Sequence, residues 1–332
     1  MTIAADNETR RAQLRRTGYN HYLRTGHVPL EIKSALGEDI AAGGYWVKFN
    51  PYHDPDNGRF TFAPGHPNAV SSPVISNRRN SPRSRGVIDR RPTIIPPSAL
   101  KDRARKVKAR HTELIRMPKM EVVLFGPGVS VVPIPVAPLE EFDAAANIAS
   151  RMYRLDAVIT GPQTDFFIGT GGLVGQAVND KQVYGNSSPG RYYFGEVIGG
   201  DGSSRLVFGL GDPPVGKVRA GIGGGIPLLM EGKDVPGFNR SWNRYKTSSG
   251  IGKSIVAYNS NTNTTALFVQ PDGESGYSLG IVRDYIRKSG YDYALAFDGS
   301  GSTSLNYQDR QIISPETLRQ PLIPLGIGFK SK

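Results

Sequence analysis

The segment of this sequence with the clearest chemical character is Asp298-Gly299-Ser300-Gly301-Ser302-Thr303, which follows an apolar run at 293–297. Glycines let the backbone approach a ligand closely, and successive peptide N–H groups in such a turn form a concave site for an anion. The serine and threonine hydroxyls add uncharged donors. An acid at the end of a buried strand is held in place beside a cleft, as a catalytic carboxylate must be. Taken alone, the segment favours a plain hairpin turn over a phosphate- or sugar-binding turn in which Asp298 is a catalytic carboxylate.

Three more glycine-rich segments precede it at the ends of apolar runs. The first holds Thr160, Gly161 and Asp165 and ends in Phe166-Phe167, the second holds Gly223, Gly224 and Gly225, and the third holds Gly252 and Lys253. Asp165 is the second candidate for a catalytic carboxylate, and Glu196 and Asp212 are weaker alternatives. Because no histidine follows His111, an imidazole base is excluded from this part of the chain.

The order and spacing of the four segments resemble the phosphodiester glycosidase family over residues 150–325. In that family an apolar strand leads to Asn-Gly and then Phe-Phe. A Gly-Gly-Gly-Pro-like segment, an Arg-Thr-Ala-x-Gly segment, a helix and a strand ending in Asp-Gly-Gly-Gly-Ser follow. The matches here are Thr160-Gly161 with Phe166-Phe167, Gly223-Gly224-Gly225-Ile226-Pro227-Leu228-Leu229, Ser249-Gly250-Ile251-Gly252 and Asp298-Gly299-Ser300-Gly301-Ser302-Thr303.

The resemblance implies a hydrolase that cleaves the bond between a sugar's anomeric carbon and a phosphodiester. Asp298, then Asp165, would be the catalytic carboxylates. Phe166, Phe167 or Tyr307 could form a platform for the sugar, although packing in the core is the plainer interpretation of the two phenylalanines. The binding residues that it implies are Thr160, Gly161, Gly223, Gly224, Gly225, Gly252, Lys253, Gly299, Ser300, Gly301, Ser302 and Thr303. A calcium or magnesium ion at Asp298 with a second acid would suit oxygen ligands, but no ligand spacing in the sequence supports one.

Three positions depart from the family pattern. Thr160 stands where asparagine is usual, Ser248 where arginine is usual, and Ser300 where glycine is usual. Loss of the arginine would remove the cation that pairs with the substrate phosphate, and the substitutes nearest in sequence are Arg244, Lys246 and Lys253. A glycan- or sugar-phosphate-binding module without turnover is therefore the alternative function.

The elements that must position these segments are short strands separated by glycine-rich turns. Apolar patterning predicts strands at 121–125, 129–136, 155–159, 191–198, 205–210, 217–222, 254–258, 264–269 and 293–297. Amphipathic spacing predicts helices at 139–153 and 278–289. The expected fold is α+β, with a mixed, largely antiparallel sheet and a few short packed helices.

Charge divides the chain into two parts. Residues 1–120 hold 22 of the 41 Lys and Arg residues but only 10 of the 29 Asp and Glu residues, so the net charge of +12 lies there. Residues 1–66 predict a small helical module with a hairpin, of unknown role. Residues 67–118 predict a basic linker rich in proline and arginine, and 119–332 the glycosidase-like domain.

The basic run also predicts a partner. Residues 78–110 carry the charge expected of a contact with nucleic acid or another anionic polymer, and a solvated linker is the plainer interpretation. No run of 18 apolar residues is present, which excludes a membrane-spanning helix. The N-terminus lacks a basic stretch followed by an apolar core, so no secretory signal is predicted, and the compartment and the oligomeric state stay open.

Overall fold

The computed structural model describes residues 94–136, 141–162, 164–165, 172–235, 250–273, 276–316 and 323–332. The predicted N-terminal module and the predicted linker up to residue 93 lie outside the described residues. The same holds for Phe166, Phe167, Arg244, Lys246 and Ser248. For Asp165 the backbone is described and the side chain is not.

Short strands are the commonest element of the described chain, as the glycine-rich patterning predicts. They are β1 (Thr112–Met117), β2 (Met120–Phe125), β3 (Val129–Pro135), β4 (Ala157–Thr160), β5 (Thr164–Asp165), β6 (Gly172–Leu173), β7 (Ala177–Asn179), β8 (Gln182–Tyr184), β9 (Tyr192–Ile198), β10 (Ser204–Leu210), β11 (Ala220–Met230), β12 (Lys233–Asp234), β13 (Lys253–Asn259), β14 (Thr264–Gln270), β15 (Tyr293–Ala296), β16 (Leu305–Tyr307), β17 (Arg310–Ile313) and β18 (Leu325–Ser331).

Helices cover the sheets at three places in the described residues. They are α1 (Pro97–Lys106), α2 (Phe142–Tyr153) and α3 (Leu279–Lys288), and a short 3-10 turn spans Ser300–Ser302. Proline at the first position of α1 needs no hydrogen-bond donor there. The Ser278 hydroxyl caps α3 by accepting from the Ile281 N–H at 3.3 Å. None of these helices is long and apolar enough to cross a membrane.

Two sheets carry the fold. In the described residues the larger sheet has the order β1-β2-β14-β13-β15-β11-β7-β8. Strands β9 and β12 also pair with β11, and β10 pairs with β9. The second has the order β17-β16-β4-β18-β3, and β5 pairs with β6 alone. Every strand pair described is antiparallel, so the predicted α+β class with a largely antiparallel sheet is confirmed.

Alternating side chains on the strands build three apolar layers. In β2, Val123 and Phe125 face the second sheet, whereas Val122 and Leu124 face α1 and α3. Helix α2 packs on the outer face of the second sheet, where Phe142 contributes to a third apolar cluster. The order of layers is therefore helices, large sheet, small sheet, helix. Because the sheet faces are covered by neighbouring layers, a functional site is expected at the ends of the strands.

The structure corrects the predicted linker between residues 94 and 118. Helix α1 and strand β1 lie in this range, and Leu100 and Ile115 are buried in the layer that covers the large sheet. Prolines in the run had indicated irregular backbone. Pro97, however, opens a helix, and the alternating apolar residues of β1 supply the burial that a linker lacks.

Strand β11 also differs from its prediction. The sequence indicated a strand at 217–222 that is broken by Gly223, Gly224 and Gly225. The structure has one strand of 11 residues, with register shifts between Ile222 and Gly225 and between Pro227 and Leu229. The glycines kink the strand at its change of partners from β9 to β15, and they do not end it.

Candidate functional site

Asp298 lies at the edge of the large sheet, just beyond the end of β15. Its backbone N–H donates to the Gly161 carbonyl at 2.9 Å, which ties the end of β15 to the end of β4 in the other sheet. The Oδ1 atom of Asp298 accepts from the Gly299 N–H at 3.0 Å, and the residue is partly exposed. The carboxylate is thus oriented by the backbone at the end of a buried strand.

The third glycine segment meets the turn after Asp298. The Ser300 N–H donates to the Gly252 carbonyl at 3.0 Å. A Cβ atom on Gly299 would lie 2.2 Å from that same oxygen, and one on Gly252 would lie 2.3 Å from the Thr303 Oγ1 atom. Side chains at Gly252 and Gly299 are therefore excluded by contact between the two backbones.

The first segment joins them through Thr160. This residue is fully buried, and its hydroxyl donates to the Ser302 carbonyl at 2.6 Å. The Gly161 N–H donates to the Leu325 carbonyl at 2.9 Å, and a Cβ atom on Gly161 would lie 2.7 Å from that oxygen. Thr160 and Gly161 thus hold the turn after Asp298 against the second sheet, and the Thr160 hydroxyl is already used within the protein.

The second segment completes the meeting. Gly224 has φ +77°, and a Cβ atom there would lie 1.7 Å from the Val174 carbonyl oxygen and 3.0 Å from the Pro162 Cβ atom. The Gly223 N–H donates to the Gln176 carbonyl at 2.7 Å, while Gly225 packs on Leu295 of β15. All four segments that the sequence singled out therefore lie side by side, although more than 130 residues separate the first from the last.

Most N–H groups of the turn after Asp298 already have acceptors within the protein. The Gly299 N–H donates to Asp298, and the Ser302 and Thr303 N–H groups donate to the carbonyls of Gly299 and Ser300 at 3.2 Å and 3.1 Å. The Thr303 hydroxyl also donates to the Ser300 carbonyl at 2.9 Å. The predicted anion nest would have to exchange some of these bonds for bonds to a ligand.

Lys253 does not reach an open cleft. Only 4% of the residue is exposed, and its Nζ atom donates to the Ile251 carbonyl at 2.5 Å. Burial lowers the pKa of Lys253 to about 8, although the nearby negative charge of Asp272 opposes the shift. In this conformation Lys253 therefore does not replace the arginine that the family pattern expects at residue 248.

The structure adds Asp272, an acid that the sequence analysis missed. Its Oδ1 atom accepts from the Gly252 N–H at 2.8 Å, so Asp272 borders the same segment as the turn after Asp298. Strands β14 and β15 both run antiparallel to β13 and therefore end at the same edge of the sheet. Asp272-Gly273 and Asp298-Gly299 each begin two residues after such a strand end, and this repeated pattern is the signal that could have revealed Asp272.

A second missed acid, Glu316, borders the same turn. Its backbone N–H donates to the Gly301 carbonyl at 2.7 Å, and a Cβ atom on Gly301 would lie 2.5 Å from its Oε2 atom. Glu316 itself is exposed. Gly301 therefore allows a carboxylate to approach the turn closely.

Two further candidates, Tyr307 and Asp212, do not serve the roles predicted for them near Asp298. Tyr307 pairs with Ala157, at the end of β4 opposite Thr160, and its hydroxyl contacts the Thr112 hydroxyl at 3.0 Å, so it is not a platform at Asp298. Both carboxylate oxygens of Asp212 accept hydrogen bonds, from the Ser188 N–H and the Ser187 hydroxyl, and hold a loop behind Gly223.

Glu196 is a buried ionic centre between the sheets. Its carboxylate is fully inaccessible and accepts from the Arg219 Nε atom at 3.0 Å and from the Lys332 Nζ atom at 2.8 Å. It also accepts from the Val131 N–H at 3.0 Å and the Ser204 hydroxyl at 2.8 Å. With every oxygen engaged, Glu196 is a structural anchor and not a catalytic acid.

We expect Glu196→Gln to lower the free energy of unfolding at pH 7 by about 1.5–3 kcal/mol, because charge-assisted hydrogen bonds become neutral ones. Burial alone would raise the pKa of Glu196, but the hydrogen bonds from Arg219, Lys332 and the Val131 N–H outweigh it and hold the pKa below 4.5. A lowered pKa stabilises the fold above the unfolded pKa and loses that effect as the pH falls.

The stability gap between wild type and Glu196→Gln should therefore narrow below about pH 4.5 in urea titrations. Glu113, which pairs with Arg103 in an exposed ion pair at 2.8 Å, provides the control. Glu113→Gln should change the free energy of unfolding by less than about 1 kcal/mol. An equal loss for the two variants would contradict the structural role of Glu196.

A metal ion in this chain would need several donor side chains close together. Within the part of the chain that the structure describes, no three His, Cys, Asp or Glu side chains lie close enough together to hold a metal ion. A calcium or magnesium ion at Asp298 stays a prediction, and the proposed reaction does not use one.

Comparison with known proteins gives similarity to solved structures only. No model of a known protein family matches the chain, and no curated protein matches it. A hypothetical protein from Synechocystis is 13% identical, with a TM-score of 0.41 over 67% of this chain, and the chain spans 61% of that protein's length. The catalytic domain of zebrafish N-acetylglucosamine-1-phosphodiester alpha-N-acetylglucosaminidase, auto-inhibited by its pro-peptide, is 16% identical, with a TM-score of 0.47 over 68% of this chain and 87% of its own.

Proposed function

We propose that this chain is a hydrolase that cleaves the glycosidic bond of a sugar-1-phosphodiester, with Asp298 as the catalytic carboxylate. The observation that carries the proposal is the meeting of four separate glycine segments around a partly exposed aspartate at a strand end. Peptide groups of these segments, together with the Asp298 carboxylate, would bind the sugar and its phosphate. The order of these segments along the sequence is the second support.

In the proposed reaction water adds to the anomeric carbon while the bond from that carbon to the phosphate oxygen breaks. The products are the free sugar and a phosphomonoester. Positive charge develops at the sugar in the transition state, so a fixed carboxylate such as Asp298 would stabilise it or accept a proton from the water. A phosphate is a good leaving group, and the demand on a general acid is therefore small.

Asp272 is the described acid best placed to be the second carboxylate, beside Asp165, whose side chain lies outside the described residues. Strands β14 and β15 are separated by β13, and strands two positions apart lie about 9.6 Å from each other. Inverting glycosidases separate their carboxyl groups by about 6.5–9.5 Å, to leave room for water. The anomer that is released first would show whether Asp272 and Asp298 act as such a pair.

Two of the departures from the family pattern are compatible with this proposal. Ser300 adopts a left-handed conformation with φ +54°, which glycine would adopt more readily. Serine therefore gives the turn a backbone shape that is compatible with glycine at this position of the family pattern. The Thr160 hydroxyl donates to the Ser302 carbonyl, so Thr160 would position the turn and would not bind the substrate. The position of Ser248 lies outside the described residues.

A binding module without turnover is the second candidate. The altered family motif favours it, because Thr160 and Ser300 stand where the family has asparagine and glycine and the Thr160 hydroxyl donates within the protein. Such a protein would hold a sugar phosphate and release nothing.

The test is to incubate the full chain with hexose-1-phosphodiesters that carry a simple alkyl group and to follow the products by NMR. We expect free sugar and alkyl phosphate to appear in equal amounts, and the proton spectrum gives the anomer released first. Binding of the diester without product would support the binding module. If the chain neither binds the diester nor forms product, both candidate functions are wrong.

A further inference from the structure

A second concave site lies at the end of the small sheet opposite Asp298. It has a volume of about 530 Å³, and four of the residues that line it are cations: Arg110, Arg154, Lys330 and Lys332. Strand β18 passes Thr160 at Gly326 and reaches the pocket only at Lys330, beyond Phe329. The pocket is therefore separate from the candidate active site and independent of the function proposed for it.

The pocket has more positive than negative charge. Asp156 also lines it, but its Oδ2 atom accepts from the Ser331 N–H and hydroxyl, both at 2.7 Å. Lys332 is paired with the buried Glu196 at 2.8 Å. Among the residues that the structure describes, Arg110, Arg154 and Lys330 form no ion pair. Three cations are thus left to face the same space.

The backbone gives an independent reason to assign a role to the arginines. Arg110 has φ +65°, and Arg154, which ends α2, has φ +52°. Residues other than glycine rarely adopt this conformation, and glycine is the common choice at the end of a helix. At both positions an arginine is present despite the cost, and both arginines line the same pocket.

We propose that this pocket binds a small oligophosphate, a ligand with two or more phosphate groups a few ångströms apart. Guanidinium groups bind phosphate oxygens through paired hydrogen bonds, and lysines add point charges. The volume lies in the range usual for small-ligand sites. None of the lining residues is aromatic, so the pocket lacks the rings on which successive bases stack in most single-strand binding sites, which argues against single-stranded nucleic acid as the occupant.

The test measures binding of inorganic tripolyphosphate to the full chain by calorimetry at low salt. Arg110→Gly and Arg154→Gly should each weaken binding about tenfold, and the double variant about a hundredfold. Because glycine suits both backbone positions, neither variant should melt at a lower temperature than wild type. Loss of affinity without loss of stability separates a binding role from a structural one.

Lys119 supplies the matched control. It is an exposed cation with φ +68° at the turn between β1 and β2, far along the hairpin from Arg110. Lys119→Gly removes the same charge and the same backbone strain and should leave the affinity within about twofold.

The proposal would be overturned if tripolyphosphate did not bind, or if Lys119→Gly lost as much affinity as the arginine variants. It would also be overturned if the chain bound a 12-residue single-stranded DNA more tightly than tripolyphosphate and the DNA affinity fell in Arg110→Gly and Arg154→Gly. The last result would assign the pocket to the anionic polymer that residues 78–110 predict as a partner.

Discussion

Asp298→Asn should lower the rate of sugar release by about 10²–10⁴-fold, the usual contribution of a catalytic acid or base. Asparagine has the shape of aspartate and keeps an oxygen that can accept from the Gly299 N–H, so the turn should keep its conformation. The variant loses the negative charge and the basicity that the proposed reaction needs. The effect should appear in kcat, with little change in the thermal midpoint.

The matched control is Asp201→Asn. Asp201 also precedes a glycine, and its carboxylate also accepts a backbone N–H, from Ser203 at 2.9 Å, but it lies in the exposed turn between β9 and β10. Product formation followed by NMR should be unchanged in this variant. Full activity of Asp298→Asn would remove that residue from the mechanism, and Asp272→Asn would then show whether the other strand-end acid carries the reaction.

The longer strands between residues 120 and 297 and both helices of this part could be predicted because local patterns decide them, whereas β18, with glycine at residues 326 and 328, was missed. Both predicted helices, at 139–153 and 278–289, are present within three residues of their predicted ends. The short apolar runs of β2 and β14 indicate strands that are buried on both faces, and the structure buries both along nearly their whole length. The pairing order β14-β13-β15 depends on distant contacts, and no single segment encodes it.

The site was predictable as a set of segments but not as a set of roles. Glycine at residues 252, 299 and 224 indicated close backbone approach, and at each position a Cβ atom would lie 2.5 Å or less from a backbone oxygen of another segment. The roles of Thr160 and Lys253 could not be read in the same way. Whether a polar side chain faces a ligand or a carbonyl depends on what the fold puts beside it, as burial of Lys253 against Ile251 illustrates.

Gly224→Ala should lower the free energy of unfolding by more than about 4 kcal/mol. The left-handed conformation at φ +77° costs a residue with a side chain about 1–2 kcal/mol. The larger part comes from contact, because a Cβ atom would lie 1.7 Å from the Val174 carbonyl oxygen and neither backbone can move freely. Strand β11 forms the junction with β9 and β15, so displacement at Gly224 would also separate the second glycine segment from the first.

Gly232→Ala separates the two contributions to that loss. Gly232 has φ +74°, almost the same as Gly224, but a Cβ atom there would meet nothing within 4 Å. Its substitution should cost only the conformational part, about 1–2 kcal/mol, in the same urea titration. The difference between the two variants therefore measures the contact between Gly224 and Val174, on which the meeting of the glycine segments depends. Equal losses would mean that the backbones are farther apart in solution, and the segments around Asp298 would then lack the close packing from which the site has been inferred.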